Sequence, residues 1–324
     1  MRVMSAWRPT ASRERLALRA ALLAETRDFF ATRKVLEVET PLLVNAGVTD
    51  VNLCTVTARL GDRPLHLHTS PEYAMKRLLA AGFGDIYQLC HVARADERSR
   101  LHNPEFTLLE WYRGSFSMTA LIKETAALLD ALLRRAGQTP RPLRELRYQQ
   151  AFSDILGIDP LGATRDALEA LALEHGLTAT TAKTLDLDGL LDFLVGAVIG
   201  PTLGRGEWLA LTHYPASQAA LARLDDADPR VALRFEIYAD GIELANGFEE
   251  LASAAEQRAR FEADNHLRER RGLPRIAIDE RLLAALEAGL PACAGVALGF
   301  DRAVMVASGA AHIDEVIAFP TEIA

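Results

Sequence analysis

Residues 234–248 constrain the fold more than any other part of the chain. Within them, Asp240-Gly241 stands between two runs of β-prone residues, and an Asp-Gly pair in this position is a strong signal for a two-residue hairpin turn. Such a turn places Tyr238 opposite Glu243. Because side chains alternate along a strand, Glu236 then shares a face with Glu243 as a diagonal neighbour about 7–8 Å away. The sequence therefore predicts a β-hairpin that brings two carboxylates together.

The carboxylates of Glu236 and Glu243 would repel each other unless a cation lay between them. Mg²⁺ prefers oxygen ligands and is commonly held by one or two carboxylates together with substrate phosphates, so the hairpin predicts a magnesium site. Two unrelated glutamates on a solvated sheet face are the alternative interpretation. The same register places Glu236 opposite Ala245 and sends Glu250 to the other face, so we expect a β-bulge at Gly247 to bring Glu250 back.

The size and composition of the chain are those of an ordinary globular protein. It has 324 residues, of which 49% are hydrophobic and 25% are charged, which suits one large domain or two modest ones. The formal net charge is −8. Nucleic-acid-binding proteins usually present basic surface to the phosphate backbone, so this charge disfavours a tRNA partner.

The cysteines and the N-terminus indicate a cytoplasmic protein. Cys54, Cys90 and Cys293 are far apart and odd in number, and no CxxC pair occurs, so we expect reduced thiols rather than disulfides or zinc ligands. The first ten residues lack the apolar core of a signal peptide. No apolar run reaches the roughly 20 residues of a membrane span, so no membrane partner is expected.

Periodicity predicts helices and strands through most of the chain. Helices are expected at 12–34, 69–82, 117–136, most of 148–200, 253–272 and 279–289. Strands are expected at 35–41, 65–69, 85–94, 106–113 and 208–213. In the strand at 106–113, Phe106, Leu108, Glu110 and Tyr112 share one face. This face is either the wall of a pocket or part of the core.

The helix at 69–82 opens with a pattern typical of a helix N-terminus. Thr69 and Glu72 fit a capping box, and Pro71 suits the first turn. Glu72 therefore has two interpretations. It either caps the helix or presents a carboxylate to a substrate amine from the helix start.

The last block, residues 292–306, predicts a strand, a glycine break at Gly299 and a helix. Arg302 falls in the first turn of that helix, where a cation opposes the helix dipole at a cost of about 0.3–1 kcal/mol. We therefore expect Arg302 to have an anionic partner, which is either a carboxylate such as Asp301 or a ligand phosphate. Gly299 would allow the backbone to approach a ligand closely.

Four blocks of the sequence stand in an order typical of one enzyme family. They are residues 35–41, 94–113, 243–251 and 295–302. Together they resemble the catalytic core of the class II aminoacyl-tRNA synthetases, and specifically the lysyl branch. The first, second and fourth blocks look like motifs 1, 2 and 3 of that family, and the third looks like the lysine-pocket block.

Within that branch the sequence is most similar to truncated paralogues, the elongation factor P β-lysine ligases. The chain begins at the catalytic helix, without the N-terminal β-barrel with which lysyl-tRNA synthetases read the anticodon. The resemblance implies an α+β fold with a mixed, mostly antiparallel sheet flanked by helices. It also implies a single catalytic domain spanning 1–324 with a helical insertion at about 148–200, no anticodon-binding domain, and a homodimer formed through motif 1.

The resemblance further implies a role for each matching residue. ATP would be bound through Arg94, Ala95, Asp96, Asn103, Phe106, Glu243, Leu244, Gly299 and Arg302. Arg94 would contact the α-phosphate and Arg302 the γ-phosphate, which makes these two the catalytic residues. Mg²⁺ would be bound by Glu236 and Glu243, in agreement with the hairpin argument. Lysine or β-lysine would be bound through Ser70, Pro71, Glu72, Tyr112, Glu250 and Ala297.

Two positions depart from the family pattern. Motif 2 usually reads Phe-Arg-Asn-Glu, whereas this chain has Ala93-Arg-Ala-Asp96 followed by Glu97, so the acid is shortened or shifted by one residue. Ala297 stands where lysyl-tRNA synthetases commonly have glycine. A methyl group there narrows the pocket near the substrate backbone, which favours a β-amino acid over an α-amino acid.

Three functions are consistent with these features. The first is an ATP-dependent, AMP-forming ligase that transfers β-lysine to elongation factor P. The second is a free-standing lysine activator that charges tRNA, which the acidic balance disfavours. The third is a non-catalytic paralogue that binds nucleotide or amino acid for regulation, and only the altered motif 2 supports it.

A group of five arginines offers a docking surface for a protein acceptor. The group comprises Arg134, Arg135, Arg141, Arg144 and Arg147. In the sequence only Glu145 opposes them, so they predict either a basic docking patch or a solvated surface.

Overall fold

The computed structural model describes residues 7–324, and the chain divides into two compact units. The first comprises Met1–Phe116, Ala127–Pro140 and Leu251–Ala324, and the second comprises Ser117–Ala126 and Arg141–Glu250. Within residues 7–324, no helix is both long enough and apolar enough to cross a membrane.

Strands and helices follow one another along the chain in both units. The strands are β1 (Leu36–Glu37), β2 (Leu43–Val44), β3 (Thr57–Leu60), β4 (Arg63–Leu67), β5 (Ile86–Ala93), β6 (Glu105–Gly114), β7 (Leu143–Arg147), β8 (Trp208–Pro215), β9 (Val231–Ala239), β10 (Ile242–Glu249) and β11 (Cys293–Gly299). The α-helices are α1 (Arg13–Thr32), α2 (Glu72–Ala80), α3 (Met118–Arg135), α4 (Tyr148–Leu156), α5 (Arg165–Glu174), α6 (Ala179–Ala182), α7 (Leu187–Leu194), α8 (Ala254–Arg270), α9 (Glu280–Gly289) and α10 (Phe300–Ser308). This alternation of helices with mixed sheets confirms the predicted α+β class.

The first unit is built on a mixed set of strands in the order β1-β5-β6-β11. β1 runs parallel to β5, and the other two pairings are antiparallel. A separate antiparallel sheet has the order β2-β4-β3. One core cluster packs α2, α8 and α9 around residues of β5, β6 and β11, including Met75, Ile86, Tyr112, Phe261 and Leu282.

The second unit has a corresponding set of strands in the order β10-β9-β8-β7. β7 runs parallel to β8, whereas β8 with β9 and β9 with β10 are antiparallel. Helices α4, α5 and α7 bury their apolar faces against β8 and β9 in a second core cluster, which includes Phe152, Leu168, Leu191, Leu211 and Tyr238.

Most predicted elements are confirmed, with boundaries that differ by a few residues. Ser12, Thr164, Ser253 and Asp279 are side-chain N-caps, each accepting a hydrogen bond from a backbone N–H of the helix that follows. Residues 148–200 are largely helical, as expected, and end in a π-helical turn, Val195–Ile199. The strand predicted at 35–41 is only two residues long, and β7 was not predicted as a strand at all.

The capping box of Thr69 and Glu72 that was predicted at the start of α2 is wrong. The N-cap position is Pro71, and no side chain caps the helix. The Ser70 hydroxyl instead accepts a hydrogen bond from the Glu72 N–H at 3.0 Å. The Glu72 carboxylate pairs with the buried Lys76 ammonium at 2.8 Å, so it is held along the helix rather than turned back to Thr69.

Candidate active site

The buried carboxylate of Glu110 lies on the face of β6 that the sequence analysis interpreted either as the wall of a pocket or as part of the core. Glu110 is only 2% exposed. One of its oxygens accepts a hydrogen bond from the Ser70 hydroxyl at 2.6 Å, and the other accepts one from the Tyr112 hydroxyl at 2.7 Å. Two predicted substrate-binding residues are therefore oriented by a third residue that the prediction omitted. The signal was available, since a lone glutamate in a buried strand needs hydrogen-bond partners.

The partner strand β11 places Ala297 directly beside this cluster. In the antiparallel register of β11 and β6, Ala297 is opposite Glu110 and Gly295 is opposite Tyr112. Residues opposite each other in an antiparallel pair share a face of the sheet. The Ala297 methyl group is therefore on the same face as the Glu110 carboxylate, while Gly295 contributes only backbone beside Tyr112.

Arg94 lies at the end of β5 with an aromatic ring beneath its guanidinium. The guanidinium carbon is 5.1 Å from the centroid of the Phe106 ring, and Nη1 lies 3.1 Å from the Glu97 carboxylate. Glu97 therefore provides the acid that contacts Arg94. Ala95 and Asp96 are exposed, and a hydrogen bond from the Cys54 thiol to Asp96 raises the pKa of that thiol.

Arg302, in the first turn of α10, contacts the loop that precedes β6. Its Nη2 lies 2.5 Å from Nε2 of His102, and its Nε donates to the Leu101 carbonyl at 3.3 Å. Because an arginine can only donate, Nε2 of His102 must be unprotonated. The proton is therefore on Nδ1, which lies 2.6 Å from the Ser99 hydroxyl. Burial, and then the charge of Arg302, lower the pKa of His102 and favour this neutral form.

We expect His102 to make stability more sensitive to acid. Its pKa is lowered in the folded state, so below the ordinary histidine value of about 6.5 the unfolded chain binds the proton more readily and stability falls. Protonation would also break the bond to Arg302. Denaturant unfolding at about pH 7.5 and about pH 5.5 should show a smaller loss of stability in His102→Gln than in wild type. The exposed His91→Gln is the control, and an equal loss in all three proteins would contradict this role.

A buried ion pair fixes the start of α10 and therefore the position of Arg302. Asp301 is fully buried, forms an ion pair with Arg19 of α1, and accepts a hydrogen bond from the Thr107 N–H at 2.8 Å. The Arg19 guanidinium also donates to the Thr107 hydroxyl at 2.7 Å. The predicted carboxylate neighbour of Arg302 thus serves to join α10 to α1 and β6.

Three further predicted site residues of the first unit are Asn103, Pro71 and Gly299. Asn103 is buried, donates to the Glu105 carbonyl at 2.6 Å and accepts from the Thr321 N–H at 3.2 Å. Its amide therefore joins the motif 2 loop to the C-terminal segment. Pro71 is buried at the start of α2, and Gly299 is the last residue of β11 and the N-cap position of α10.

In the second unit, Glu236 lies on β9 within a polar cluster. Its two oxygens accept hydrogen bonds from Arg234 at 2.6 Å and from the Tyr238 hydroxyl at 2.7 Å. The Arg234 guanidinium lies 4.4 Å from the centroid of the Tyr214 ring. Burial, then the charges of Glu236 and Glu243, raise the pKa of Tyr238 well above its ordinary value, so this phenol remains a donor.

The predicted hairpin is confirmed at its turn and corrected along β10. Asp240 and Gly241 both have positive φ, 50° and 76°, as a two-residue type I′ turn requires. Glu243 is opposite Tyr238 as predicted. The bulge, however, lies between Glu243 and Ala245 rather than at Gly247.

The bulge changes which residue faces Glu236. Asn246 is opposite Glu236 instead of Ala245, because Leu244 is the extra residue and its side chain is buried. Glu236 and Glu243 still share a face, and alternation from Asn246 brings Glu250 to that face as well. Glu250 is buried and bridges to Ala222 through its backbone.

The Glu236–Glu243 face suits a hard cation chemically. Its oxygen atoms are of the kind that Mg²⁺ prefers: two carboxylates and the adjacent amide oxygen of Asn246, which also accepts a hydrogen bond from Arg234 Nε at 3.3 Å. An ionised carboxylate has about four lone-pair sites, so Glu236 keeps acceptor capacity beyond its bonds to Arg234 and Tyr238. Among residues 7–324, no group of three or more His, Cys, Asp or Glu could hold a metal ion. Mg²⁺ in nucleotide sites is commonly held by one or two carboxylates together with substrate phosphates.

In the structure, three of the five arginines predicted as a docking patch or a solvated surface lie beside carboxylates. Arg141 pairs with Asp240 at 2.7 Å, and Arg144 pairs with Glu207 at 2.8 Å. Arg134 lies 3.9 Å from Asp130 on α3. These acids are too distant in sequence or too weakly patterned for the sequence to pair them with the arginines.

Comparisons with known proteins agree on one family. Residues 1–323 match the family described as tRNA synthetases class II (D, K and N). The chain is 51% identical to the elongation factor P–(R)-β-lysine ligase of Avibacterium paragallinarum, over 98% of each chain. It is 52% identical to the protein of the same name from Vibrio cholerae and 49% identical to that from Pasteurella multocida, again over 98% of each chain.

Proposed function

We infer the function from the family: this chain belongs to the class II tRNA synthetases, among relatives named elongation factor P–(R)-β-lysine ligase. We propose that it is an ATP-dependent ligase that activates (R)-β-lysine as an adenylate and transfers the lysyl group to a lysine side chain of elongation factor P. Near-complete coverage at about half identity is the observation that carries this proposal. Because the acceptor is a translation factor, the reaction is assigned to the cytoplasm.

The proposed reaction has two steps. The carboxylate of β-lysine attacks the α-phosphate of ATP and pyrophosphate leaves, and the acceptor amine then attacks the acyl carbon and AMP leaves. Such chemistry depends mainly on positioning and on neutralising phosphate charge. We assign Arg94 to the α-phosphate, Arg302 to the γ-phosphate and Phe106 to the adenine. The guanidinium of Arg94 lies over the Phe106 ring, which places the residues assigned to the α-phosphate and the adenine side by side, and Arg302 lies against the motif 2 loop through His102; both contacts support these assignments.

The remaining assignments follow the family and the local geometry. Asp96, Asn103, Ala95, Leu244 and Gly299 are assigned to the nucleotide, and Leu244, whose side chain is buried, can contribute only its backbone. Glu236 and Glu243 would hold Mg²⁺, which when bound neutralises phosphate charge. Ser70, Pro71, Glu72, Tyr112, Ala297 and Glu250 are assigned to the amino acid. The bonds that orient Ser70 and Tyr112 support their part in this set.

ATP–pyrophosphate exchange with a panel of α- and β-lysines tests the activation step. Intact mass of elongation factor P after the full reaction tests the transfer step, and tRNA charging is assayed in parallel. We expect exchange to be fastest with (R)-β-lysine and the mass of elongation factor P to increase by one lysyl residue. Charging of tRNA without modification of the protein would overturn the proposal in favour of a free-standing lysine activator.

We expect Ala297→Gly to shift the enzyme toward α-lysine. The methyl group shares a face with the Glu110 carboxylate, so removing it leaves more room in the pocket beside the substrate backbone. One methyl group in a pocket is worth about 1–3 kcal/mol. The ratio of kcat/KM for α-lysine to that for β-lysine should rise at least about threefold in pyrophosphate exchange. An unchanged ratio would show that Ala297 does not select the isomer.

We also propose a homodimer formed through motif 1. Leu36, Leu42 and Leu43 are 50%, 42% and 44% exposed, which leaves apolar surface beside the two-residue strand β1. Replacing Leu36, the exposed leucine within motif 1, with aspartate should therefore convert a dimer to a monomer in sedimentation measurements, because buried charges at an interface are costly. Leu60→Asp is the control, since Leu60 is 63% exposed elsewhere in the first unit. A concentration-independent monomer mass for wild type would contradict the dimer.

A further inference from the structure

We propose that Arg223 and Glu249 form a clamp that positions Glu250 to recognise the substrate ammonium group. The inference rests on the proposed function, in which Glu250 contacts the amino acid. Neither Arg223 nor Glu249 is assigned to a ligand, so both act as positioning residues. The clamp lies wholly within the second unit, at the end of β10.

The clamp joins three parts of the chain at the Glu249 side chain. One carboxylate oxygen accepts hydrogen bonds from Nε and Nη2 of Arg223, at 2.9 and 2.7 Å. The other oxygen accepts a hydrogen bond from the backbone N–H of Met118, at the start of α3, at 3.0 Å. Both oxygens are thereby fixed, one by a cation and one by a helix N-terminus, where a carboxylate is favoured.

Backbone bonds join the same two segments beside Glu250. The Arg223 N–H donates to the Glu249 carbonyl at 2.9 Å, and Ala222 forms a β-bridge with Glu250. The Leu233 N–H donates to the Arg223 carbonyl, also at 2.9 Å, which ties the clamp to β9. The segment that carries Arg223 is therefore bonded through its backbone to the segment that carries Glu250, and the ion pair of Arg223 with Glu249 links the same two segments through their side chains.

The clamp acts from the side of the strand away from the proposed substrate face. Successive side chains alternate in direction, so Glu249 and Glu250 point to opposite faces. Glu249 lines a cavity of about 500 Å³ together with Arg147, Thr212 and His213. Removing the Arg223 guanidinium therefore leaves the Glu250 carboxylate chemically intact, although it also removes the ion pair of Arg223 with the exposed Asp226 at 3.0 Å.

The ion pair of Arg223 and Glu249 should restrain the local structure more than it stabilises the whole fold. The side chains of Arg223 and Glu249 are 36% and 19% exposed, and partly exposed ion pairs contribute little to global stability. Substrate recognition is more demanding, because a displacement of about 1 Å can cost about 100-fold in rate. Loss of the clamp should therefore affect binding of the amino acid more than folding.

Arg223→Gln tests the clamp, with Arg230→Gln as the matched control. Arg230 lies in the same part of the chain, and its guanidinium pairs with Asp228 at 2.8 Å. In pyrophosphate exchange, Arg223→Gln should raise KM for the amino acid about tenfold while KM for ATP stays within about twofold of wild type. Arg223→Lys, which keeps the charge, should recover part of that loss. The control should match wild type for both substrates.

Hydrogen exchange of the free protein provides a readout that does not depend on activity. We expect the amides of Phe248 to Leu251 to exchange faster in Arg223→Gln than in Arg230→Gln. If wild type activates no lysine isomer, the proposed function fails and hydrogen exchange still decides whether the clamp holds this segment. The proposal would be overturned if the hydrogen exchange of these amides were unchanged in Arg223→Gln. It would also be overturned if KM for the amino acid were unchanged, or if KM rose equally for the amino acid and for ATP.

Discussion

Glu243→Gln should reduce ATP–pyrophosphate exchange about 1,000-fold or more, which is the largest effect we expect from a single substitution. Glu243 shares a face with Glu236, and together they supply the anionic oxygens proposed for Mg²⁺. A neutral amide keeps the shape of the side chain and removes half of that negative charge. Exchange at saturating ATP, measured over a range of Mg²⁺ concentrations, checks this expectation.

Glu207→Gln is the control for Glu243→Gln. It is the same isosteric change in the same unit, at a carboxylate that pairs with Arg144. This variant should exchange pyrophosphate at the wild-type rate. Thermal unfolding should show that both variants are folded. Normal exchange by a folded Glu243→Gln variant would show that the metal assignment is wrong.

Glu110→Gln should raise KM for the amino acid about 100-fold, the second largest effect. The Glu110 carboxylate accepts hydrogen bonds from both Ser70 and Tyr112, whereas a glutamine amide has only one oxygen to accept them. One of the two hydroxyl groups must therefore give up its role as donor and either accept a hydrogen bond from the amide N–H or lose its partner. A buried hydrogen-bonding group without its partner also costs about 1–3 kcal/mol of stability, so melting temperatures should be measured alongside the kinetics.

Ser70→Ala and Tyr112→Phe separate the two hydrogen bonds of Glu110. Each removes one hydroxyl group, and each should reproduce part of the rise in KM for the amino acid while KM for ATP stays the same. Glu105→Gln is the control, because Glu105 is on the same strand but exposed and paired with His91. Similar increases in KM for ATP and for the amino acid would indicate general disruption of β6 instead of a role in substrate recognition.

The hairpin illustrates how far local sequence determines structure here. The Asp240-Gly241 turn was predictable because only a few residue pairs adopt positive φ at both positions at low cost. The site of the bulge was not, because strict alternation cannot choose among residues 244–247. Burial of Leu244 in the folded unit decides it, and that is a property of packing.

The candidate site likewise contains some residues that the sequence alone suggests and others whose role depends on partners that only the fold brings together. Residues such as Arg94 and Arg302 stand at fixed places in recognisable motifs, so the sequence alone suggested them. Glu110 acquires its role from Ser70, which lies 40 residues earlier and meets it only in the folded unit. The same holds for the pairing of Arg141 with Asp240, which lies 99 residues later in the chain. Partners that are distant in sequence are set by strand register, which composition and spacing do not encode.

The bulge at Leu244 also determines which changes of length this segment can tolerate. Seven positions separate Glu243 from Glu250, and an odd spacing in a regular strand would place them on opposite faces; the extra residue restores them to one face. Loss of Leu244 itself would shorten the spacing to six, and regular alternation would then keep both carboxylates on one face without a bulge. An inserted residue, or a deletion that leaves the bulge in place, would turn Glu250 away from Glu243. In evolution, changes of length in this segment should therefore occur only together with gain or loss of the bulge.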